Sequence, residues 1–165
     1  MINEAVRHYI LQGISATPVV LTHLLQDTNR QIWDRRPDPE RFTLREAVAH
    51  LADWESVWLA RLGKVIKLDR PILPDLDTDQ MAKEHNYSQA DLQASLKTFQ
   101  EGRKKILQLL EKLELGQWSR TGNHTSRGTL SIQDLAVIIL GHDNYHLAQV
   151  AEWTDADRVK SSLTS

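Results

Sequence analysis

Two histidines four residues apart, His142 and His146, are the side chains of this 165-residue sequence best suited to chemistry. On an α-helix, residues at that spacing lie one turn above each other, with Cβ atoms about 5–6 Å apart. Two such imidazoles can share one metal ion through nitrogens about 2.0–2.1 Å from it. The spacing alone is weak evidence, because such a pair can equally be two hydrogen-bonded core histidines. A metal site therefore needs a third ligand.

The segment around this pair predicts one long buried helix over residues 129–153. Apolar and histidine side chains recur there at three- and four-residue steps, which places them on a single stripe. Ser131 followed by Asp134 indicates an N-cap with an acceptor in the first turn, where exposed amides and the helix dipole favour negative charge. We therefore expect this helix to begin near Ile132.

Composition excludes several classes of protein. The chain has no cysteine, which excludes disulfides, thiolate metal sites and a cysteine nucleophile. A formal net charge of −2 gives no basic surface for nucleic acid. No apolar run approaches the roughly 20 residues that cross a bilayer, and the N-terminus lacks the layout of a signal peptide. We expect a cytoplasmic protein with no nucleic-acid or membrane partner.

The first helical segment contains signals for an interruption. Gly13 breaks its apolar stripe. Thr17 followed by Pro18 is typical of a new helix start, with Thr17 as N-cap and Pro18 at the first position, where its missing N–H costs little. The sequence therefore predicts a first helix that is bent or split between Gly13 and Pro18.

A second helix is predicted after a loop of residues 27–42. Thr43 and Glu46 form a capping box, in which each side chain accepts a hydrogen bond from the backbone amide of the other residue. His50 lies on the flank of the apolar stripe, one turn from Ala47 and Trp54, and should face inward or into a cleft. This helix thus offers a further candidate imidazole.

A third long helix follows a crossover of residues 69–87, in which a short helix is predicted near residues 79–85. Ser88 with Asp91 is typical of the start of the long helix. Gly102 in its apolar stripe is expected to permit close approach of another backbone. Its charged residues are most simply a solvated face; they are Arg103, Lys104, Lys105, Glu111 and Lys112.

Four amphipathic helices with one or two long connections predict an all-α four-helix bundle. It would form one domain over residues 1–155, followed by a polar C-terminal tail over residues 156–165. Residues 118–128 are expected to form a polar loop, with His124 on the surface, and no strand pattern is evident. The five tryptophans are expected in the core.

Three motifs resemble the DinB/YfiT-like family: TLREAVAHLADWESVWLAR in the second helix, WSRTGNHTSRGTLS before the fourth and GHDNYHLAQ within it. The similarity covers residues 17–153. It implies a four-helix bundle with long crossovers, and a divalent metal, often nickel or zinc, held by one histidine of the second helix and an H-x-x-x-H pair of the fourth. These positions are His50, His142 and His146. Family analogy also implies a homodimer.

Three neutral imidazoles leave the charge of an ion largely uncompensated and at least one position open, which is typical of a catalytic site. A thiol bound there would ionise, and in a chain without cysteine it must come from a cosubstrate. The resemblance, to a superfamily with thiol-dependent transferases and isomerases, implies a small-molecule substrate and a low-molecular-weight thiol as partners. Four residues near the ligands in sequence are candidates to orient imidazoles or transfer protons, and the sequence does not choose among them: Asp53, Asp143, Gln149 and Glu46.

Three functions are compatible with these features. The first is a metal-dependent thiol S-transferase that acts on small electrophiles. The second is a non-catalytic dimeric bundle, for binding or stress response, with a structural or vestigial metal site. The third is a zincin-like hydrolase. It is disfavoured, because HDNYH has Asp where the H-E-x-x-H motif has Glu, and because no sheet is predicted to hold a substrate strand.

Overall fold

Four long helices form a bundle in the computed structural model, which describes residues 2–26, 28–36 and 38–163, with side chains up to residue 155. The helices and strands are α1 (Glu4–Leu25), α2 (Leu44–Lys67), β1 (Ile72–Leu73), α3 (Thr78–Glu84), α4 (Leu92–Glu111), β2 (Thr121–His124), β3 (Gly128–Ser131) and α5 (Ile132–Leu163). Helix α2 packs on α4 and α5, and α1 packs on the same two helices. The predicted four-helix bundle is confirmed.

Helix α1 is continuous through Pro18, so the predicted split, with Thr17 as a new N-cap, is wrong. Proline has no N–H and leaves the carbonyl of Ile14, four residues earlier, without its helical partner. Arg103 of α4 supplies the missing hydrogen bond, because its Nη1 donates to this oxygen at 3.1 Å. Because the group that replaces the missing hydrogen bond belongs to another helix, the sequence around Pro18 shows only the signal for a helix start.

The capping box predicted for α2 is confirmed. The Glu46 amide donates to Thr43 Oγ1 at 3.2 Å, and the Thr43 amide donates to Glu46 Oε2 at 2.9 Å. Arg36 also donates to both carboxylate oxygens of Glu46, at 2.8 and 2.7 Å. Glu46 therefore fixes the start of α2, and its acceptors are occupied.

Helix α4 begins one turn later than the Ser88 signal indicated. Its N-cap is Asp91, whose Oδ1 accepts from the amide of Ala94 at 2.8 Å. The close approach predicted at Gly102 is confirmed, because a Cβ there would lie 2.5 Å from the Cβ of Glu55 on α2. The short helix predicted in the crossover is also present, as α3.

A small three-stranded sheet stands where a polar loop was predicted. Strands β2 and β3 form an antiparallel hairpin, and β1 from the crossover runs parallel to β2. Gly122 lets the sheet lie close to α2, since a Cβ there would be 3.0 Å from Val65 Cγ2. Strands of two to four residues are too short to show a period of two in the sequence. The lack of any sheet can therefore no longer count against a hydrolase.

The core consists of two apolar clusters along the bundle, with a layer of buried polar side chains near their boundary. All five tryptophans are buried, as predicted. Helix α5 begins at Ile132, as predicted, but continues to Leu163, beyond the expected end near Trp153. The tail predicted over residues 156–165 therefore begins as helix, and its side chains and residues 164 and 165 lie outside the described residues. No described helix is long and apolar enough to cross a membrane.

Candidate metal centre

Three imidazoles converge between α2 and α5. His50 meets His142 and His146, and the candidate ligand nitrogens of the three rings all lie within 4.8 Å of one another. The Nε2 atoms of His50 and His142 are 2.9 Å apart. Two nitrogens that bind the same ion are at most about 4.2 Å apart when each metal–nitrogen bond is about 2.1 Å long. The cluster is therefore close to the size that a single divalent ion requires.

The surroundings of the rings favour neutral imidazoles, the form that binds metals. Burial lowers the pKa of His50 to about 2, and His146 and His142 add to this effect. Burial also lowers the pKa of His146 to about 4, with a further contribution from His142. The Nδ1 atoms of His50 and His142 are buried and have no hydrogen-bond partner among the described residues. At neutral pH the rings of His50 and His146 are therefore uncharged, as metal binding requires.

Gln149 orients the ring of His146. Its Nε2 donates to the carbonyl of Phe42 at 2.8 Å, so its Oε1 is the atom that faces His146 Nδ1, at 3.1 Å. An amide oxygen only accepts, which places the proton of His146 on Nδ1 and leaves Nε2 unprotonated. Of the four residues proposed from the sequence to orient an imidazole, Gln149 is therefore the one that forms such a hydrogen bond within the described structure.

Asp143, although it follows His142 in sequence, points away from the cluster. Its Oδ1 lies 4.0 Å from His142 Nδ1, beyond hydrogen-bonding distance. Its Oδ2 accepts instead from Thr17 at 2.8 Å and from Arg103. Burial alone would raise the pKa of Asp143, but the nearby ring of His142 and the hydrogen bonds from Arg103 and Thr17 outweigh burial and lower it. Asp143 is completely buried, so it cannot exchange a proton with a molecule in the pocket.

Arg103 is buried among acids, so the solvated face predicted for it is wrong. Only 1% of its surface is exposed, whereas the other four charged residues of that prediction are exposed as expected. Its Nη2 donates to Glu55 Oε1 at 2.6 Å and to Asp143 Oδ1 at 2.9 Å. Arg103 lies one helical turn from Phe99 and one from Ile106, so its position belongs to the apolar stripe of α4. Its two acidic partners, however, lie 48 and 40 residues away in sequence, where no local pattern shows them.

Asp53 also forms its hydrogen bonds with residues outside the three-histidine cluster. Its Oδ2 accepts from the hydroxyl of Tyr87 at 2.7 Å and contacts His85 Nδ1. This hydrogen bond and the charge of Asp53 raise the pKa of His85. Tyr87 packs edge-on against the ring of His50, with centroids 6.2 Å apart. Asp53 therefore ties the crossover to α2 beside the cluster, rather than orienting one of its imidazoles.

A pocket of about 690 Å³ opens over the three histidines. Its walls are largely aromatic, and charged side chains from the crossover and the hairpin lie around it. The main lining residues are Phe42, Trp54, Trp58, Tyr145, Arg41, Asp75, Asp79 and Arg127. Such a volume is typical of small-molecule sites. The sequence placed none of the crossover or hairpin residues at this pocket, because no local signal shows where a loop packs.

His124 is buried beneath the hairpin, so its predicted surface position is wrong. It is 3% exposed, and its Nε2 lies 3.9 Å from Asp75 Oδ1. Its Nδ1 is 3.3 Å from the amide of Ser126, which donates to it. The register of β2 in the sheet turns His124 inward, and the sequence shows no strand pattern at this position.

Comparisons with known proteins agree with this fold. A family model described as the DinB superfamily matches residues 14–150. A protein of Oceanobacillus iheyensis described as a candidate metal-dependent hydrolase is 26% identical over 140 residues, which cover 85% of this chain and 81% of that protein. YfiT from Bacillus subtilis, described as a probable metal-dependent hydrolase with an unusual four-helix bundle topology, superposes with a TM-score of 0.88 at 20% identity, over 94% of this chain and 90% of YfiT.

Proposed function

This chain belongs to the DinB superfamily, and we propose that it is a divalent-metal enzyme acting on small molecules, with His50, His142 and His146 as metal ligands. The observation that carries this proposal is the meeting of three imidazoles from two distant segments at the floor of an open pocket. Imidazole ligands suit zinc, nickel, copper and iron. The family resemblance favours nickel or zinc.

The donor set fits an open site, with three protein ligands and pocket space on the remaining side. When bound, a divalent ion there supplies Lewis-acid activation of a water or a thiol that enters from solution. Gln149 keeps the Nε2 of His146 unprotonated and directed to the cluster. Trp54 and Trp58 pack against His142, with ring centroids at 5.4 and 5.8 Å, and keep water from that side of the ring.

The polar layer positions the histidines from behind. Arg103 joins α4 to α5 through Asp143, and Thr17 joins α1 to the same carboxylate. Because Asp143 lies between His142 and His146 in sequence, these contacts fix the rotation and height of α5. Asp143 is therefore a positioning residue, and no proton transfer is assigned to it.

The specific reaction that we propose is the transfer of a thiol to a small electrophile. In this step the thiol loses its proton, a sulfur–carbon bond forms and the leaving group departs with its electron pair. Since the chain has no cysteine, the sulfur must come from a low-molecular-weight cosubstrate. The pocket has a volume that suits small organic molecules, and its aromatic walls suit apolar parts of an electrophile.

Hydrolysis is the second candidate, because both relatives named above are described as metal-dependent hydrolases. Here water takes the place of the thiol. A zincin-like mechanism is not supported by the geometry. The carboxylate at the position of the zincin base, Asp143, is buried and bound to Arg103. A hydrolase of this geometry would have to work without a carboxylate base from the HDNYH motif.

Metal analysis of purified protein and a two-panel turnover assay test the proposal. We expect about one equivalent of nickel or zinc in the wild type and none in His50→Ala or His142→Ala, while the control His23→Ala, an exposed histidine of α1, keeps its metal. One panel offers thiols with electrophiles, and the other offers esters and amides without thiol. Metal-dependent turnover in the first panel supports S-transfer, and turnover confined to the second supports hydrolysis.

The alternative function is a non-catalytic bundle. Metal that is absent from the wild type, or bound without turnover in either panel, would contradict the enzyme proposal and favour that alternative. Its dimeric form, which family analogy also implies, would be measured separately by sedimentation.

A further inference from the structure

A buried cation without a counter-ion lies beside the pocket. Arg61 of α2 is 4% exposed, and none of the described carboxylates lies within 4.0 Å of its guanidinium. It donates one hydrogen bond, from Nη2 to the carbonyl of Pro74 at 2.8 Å. Arg103, which is also buried, is by contrast paired with two carboxylates. Burial of an unpaired charge is costly, and this cost is offset when a ligand supplies the opposite charge.

Two further donors lie near Arg61. Arg127, in the turn between β2 and β3, lines the pocket, is exposed and has no ion pair within the described part of the chain. His124 accepts from the Ser126 amide at Nδ1, so its proton is on Nε2, and this buried N–H has no hydrogen-bond partner among the described side chains and backbone. Burial, followed by the charge of Arg127, lowers the pKa of Arg61. The same two arginines also contribute to the lowered pKa of His124, after burial.

Asp75 offsets only part of this charge. Its carboxylate is half exposed and lies 3.9 Å from His124 Nε2, but within 4.0 Å of neither arginine. Two guanidinium groups and one carboxylate leave a net charge of about +1 at this end of the pocket, with a neutral His124. One bound anion would balance this charge.

The group of donors adjoins the histidine cluster through two tryptophans. The guanidinium carbon of Arg61 lies 5.3 Å from the ring centroid of Trp54 and 5.4 Å from that of Trp58. The same two rings contact His142 on the histidine side. The indole N–H groups of both tryptophans are buried and have no partner among the described residues. Of the three donors, only Arg127 lines the pocket, whereas Arg61 and His124 are buried directly behind its wall. A small molecule in the pocket could therefore contact Arg127 with one end and the histidines with the other, within reach of the charge of Arg61.

We propose that Arg127, supported from behind the pocket wall by Arg61 and His124, forms a subsite that binds the oxyanion group, a carboxylate or a phosphate, of the small molecule that reacts at the three histidines. Guanidinium groups bind both oxyanions through two parallel N–H donors, and the hydrogen bonds are strengthened by the charge. The assignment of this molecule as substrate rests on the proposed function. Binding of the oxyanion itself does not depend on the proposed function, because none of the three donors is a proposed metal ligand.

The test is a titration of metal-free protein with succinate and, separately, with inorganic phosphate. Metal is removed first, since an oxyanion could otherwise bind the ion directly. Binding is followed by calorimetry and by NMR of the side-chain N–H groups of Trp54, Trp58 and His124. We expect saturable binding that Arg127→Gln weakens about tenfold or more, the loss of one charge-assisted contact, and that Arg61→Gln also weakens through the loss of a nearby positive charge. Tighter binding of succinate identifies a carboxylate substrate, and tighter binding of phosphate identifies a phosphorylated one.

Arg30→Gln is the matched control. Arg30 is exposed and, like Arg61, lies over an indole ring, at 5.3 Å from the centroid of Trp33, but it does not line the pocket. This substitution makes the same change of charge and should leave binding within about twofold. Because Arg127 is exposed, its substitution keeps the test valid even if Arg61→Gln fails to fold.

Two results would overturn the inference. One is the absence of saturable binding of either probe to the metal-free wild type, or binding that neither arginine substitution weakens. The other is binding that appears only after the protein is loaded with metal. That result would contradict the anion subsite but would be consistent with the proposed three-histidine metal centre. Conversely, a chain that takes up no metal would contradict the proposed function without changing this titration.

Discussion

The guanidinium of Arg103 on α4 donates two hydrogen bonds to the carboxylate of Asp143 on α5, the residue directly after His142. The same guanidinium donates to Glu55 of α2 and to the carbonyl of Ile14 in α1. One side chain thus contacts all three other long helices at the level of the histidine cluster. The stability of the bundle and the placement of its histidines therefore depend on the same buried group.

Replacement of Arg103 should be strongly destabilising. Arg103→Met leaves Glu55 and Asp143 buried without their cation and frees the carbonyl of Ile14, so we expect a loss of about 3–5 kcal/mol in the free energy of unfolding, measured in denaturant. Lys104→Met, at the exposed neighbouring position, should change it by less than about 0.5 kcal/mol. Equal free energies of unfolding for the two variants would show that the buried contacts of Arg103 with Glu55 and Asp143 make no net contribution to stability.

Two glycine substitutions should have opposite effects. Gly102→Ala drives a methyl group into Glu55, whose Cβ would be 2.5 Å away, and should cost about 1–3 kcal/mol of unfolding free energy. Gly63→Ala meets nothing within 4 Å in the interior of α2 and should gain about 0.5–1 kcal/mol. Thermal unfolding of the pair measures both. If Gly102→Ala were also stabilising, α2 and α4 could not be packed as closely as described.

Removal of the Gln149 amide should weaken metal binding and spare the fold. Gln149→Met no longer accepts from His146 Nδ1, and the loss of such an orienting contact typically lowers metal affinity about 10–100-fold. Competition with a chromophoric chelator measures the affinity. Gln100→Met, which removes an exposed amide of α4 bonded to Thr22, is the control and should bind as the wild type does. An unchanged affinity in Gln149→Met would contradict the role given to this amide.

The contact of His85 with Asp53 should make stability depend on pH. Because Asp53 raises the pKa of His85 above its ordinary value of 6.5, the folded protein binds the proton more tightly than the unfolded chain. The stabilisation is fully present below pH 6.5 and is lost as the pH rises through the raised pKa. His85→Asn should therefore lower the Tm at about pH 5.5 and change it little at about pH 9. Substitution of His8, an exposed histidine with no carboxylate partner among the described residues, should have an effect that does not follow this pattern.

The features that arise from local interactions were predictable from the amino-acid sequence. Helix periodicity, the capping box at Thr43 and the start of α5 at Ile132 depend on residues within a turn or two of one another, and the structure has them where they were predicted. The candidate ligands His50, His142 and His146 were also named from the sequence, through helical spacing and the resemblance to a family. The structure brings these three rings together.

The roles of several other residues depend on partners that are distant in the chain and became visible only in the folded protein. Arg103 and Lys104 are both cations on one helix, and only the presence of Glu55 and Asp143 opposite one of them makes its burial favourable. Asp53, Asp143 and Gln149 were equivalent candidates until packing gave each a different partner. His124 and Arg61 lie near each other behind the pocket wall because β1, next to Pro74, pairs with β2 across some 50 residues of chain. The free energy of such contacts comes from desolvation and charge pairing between segments that no local pattern connects.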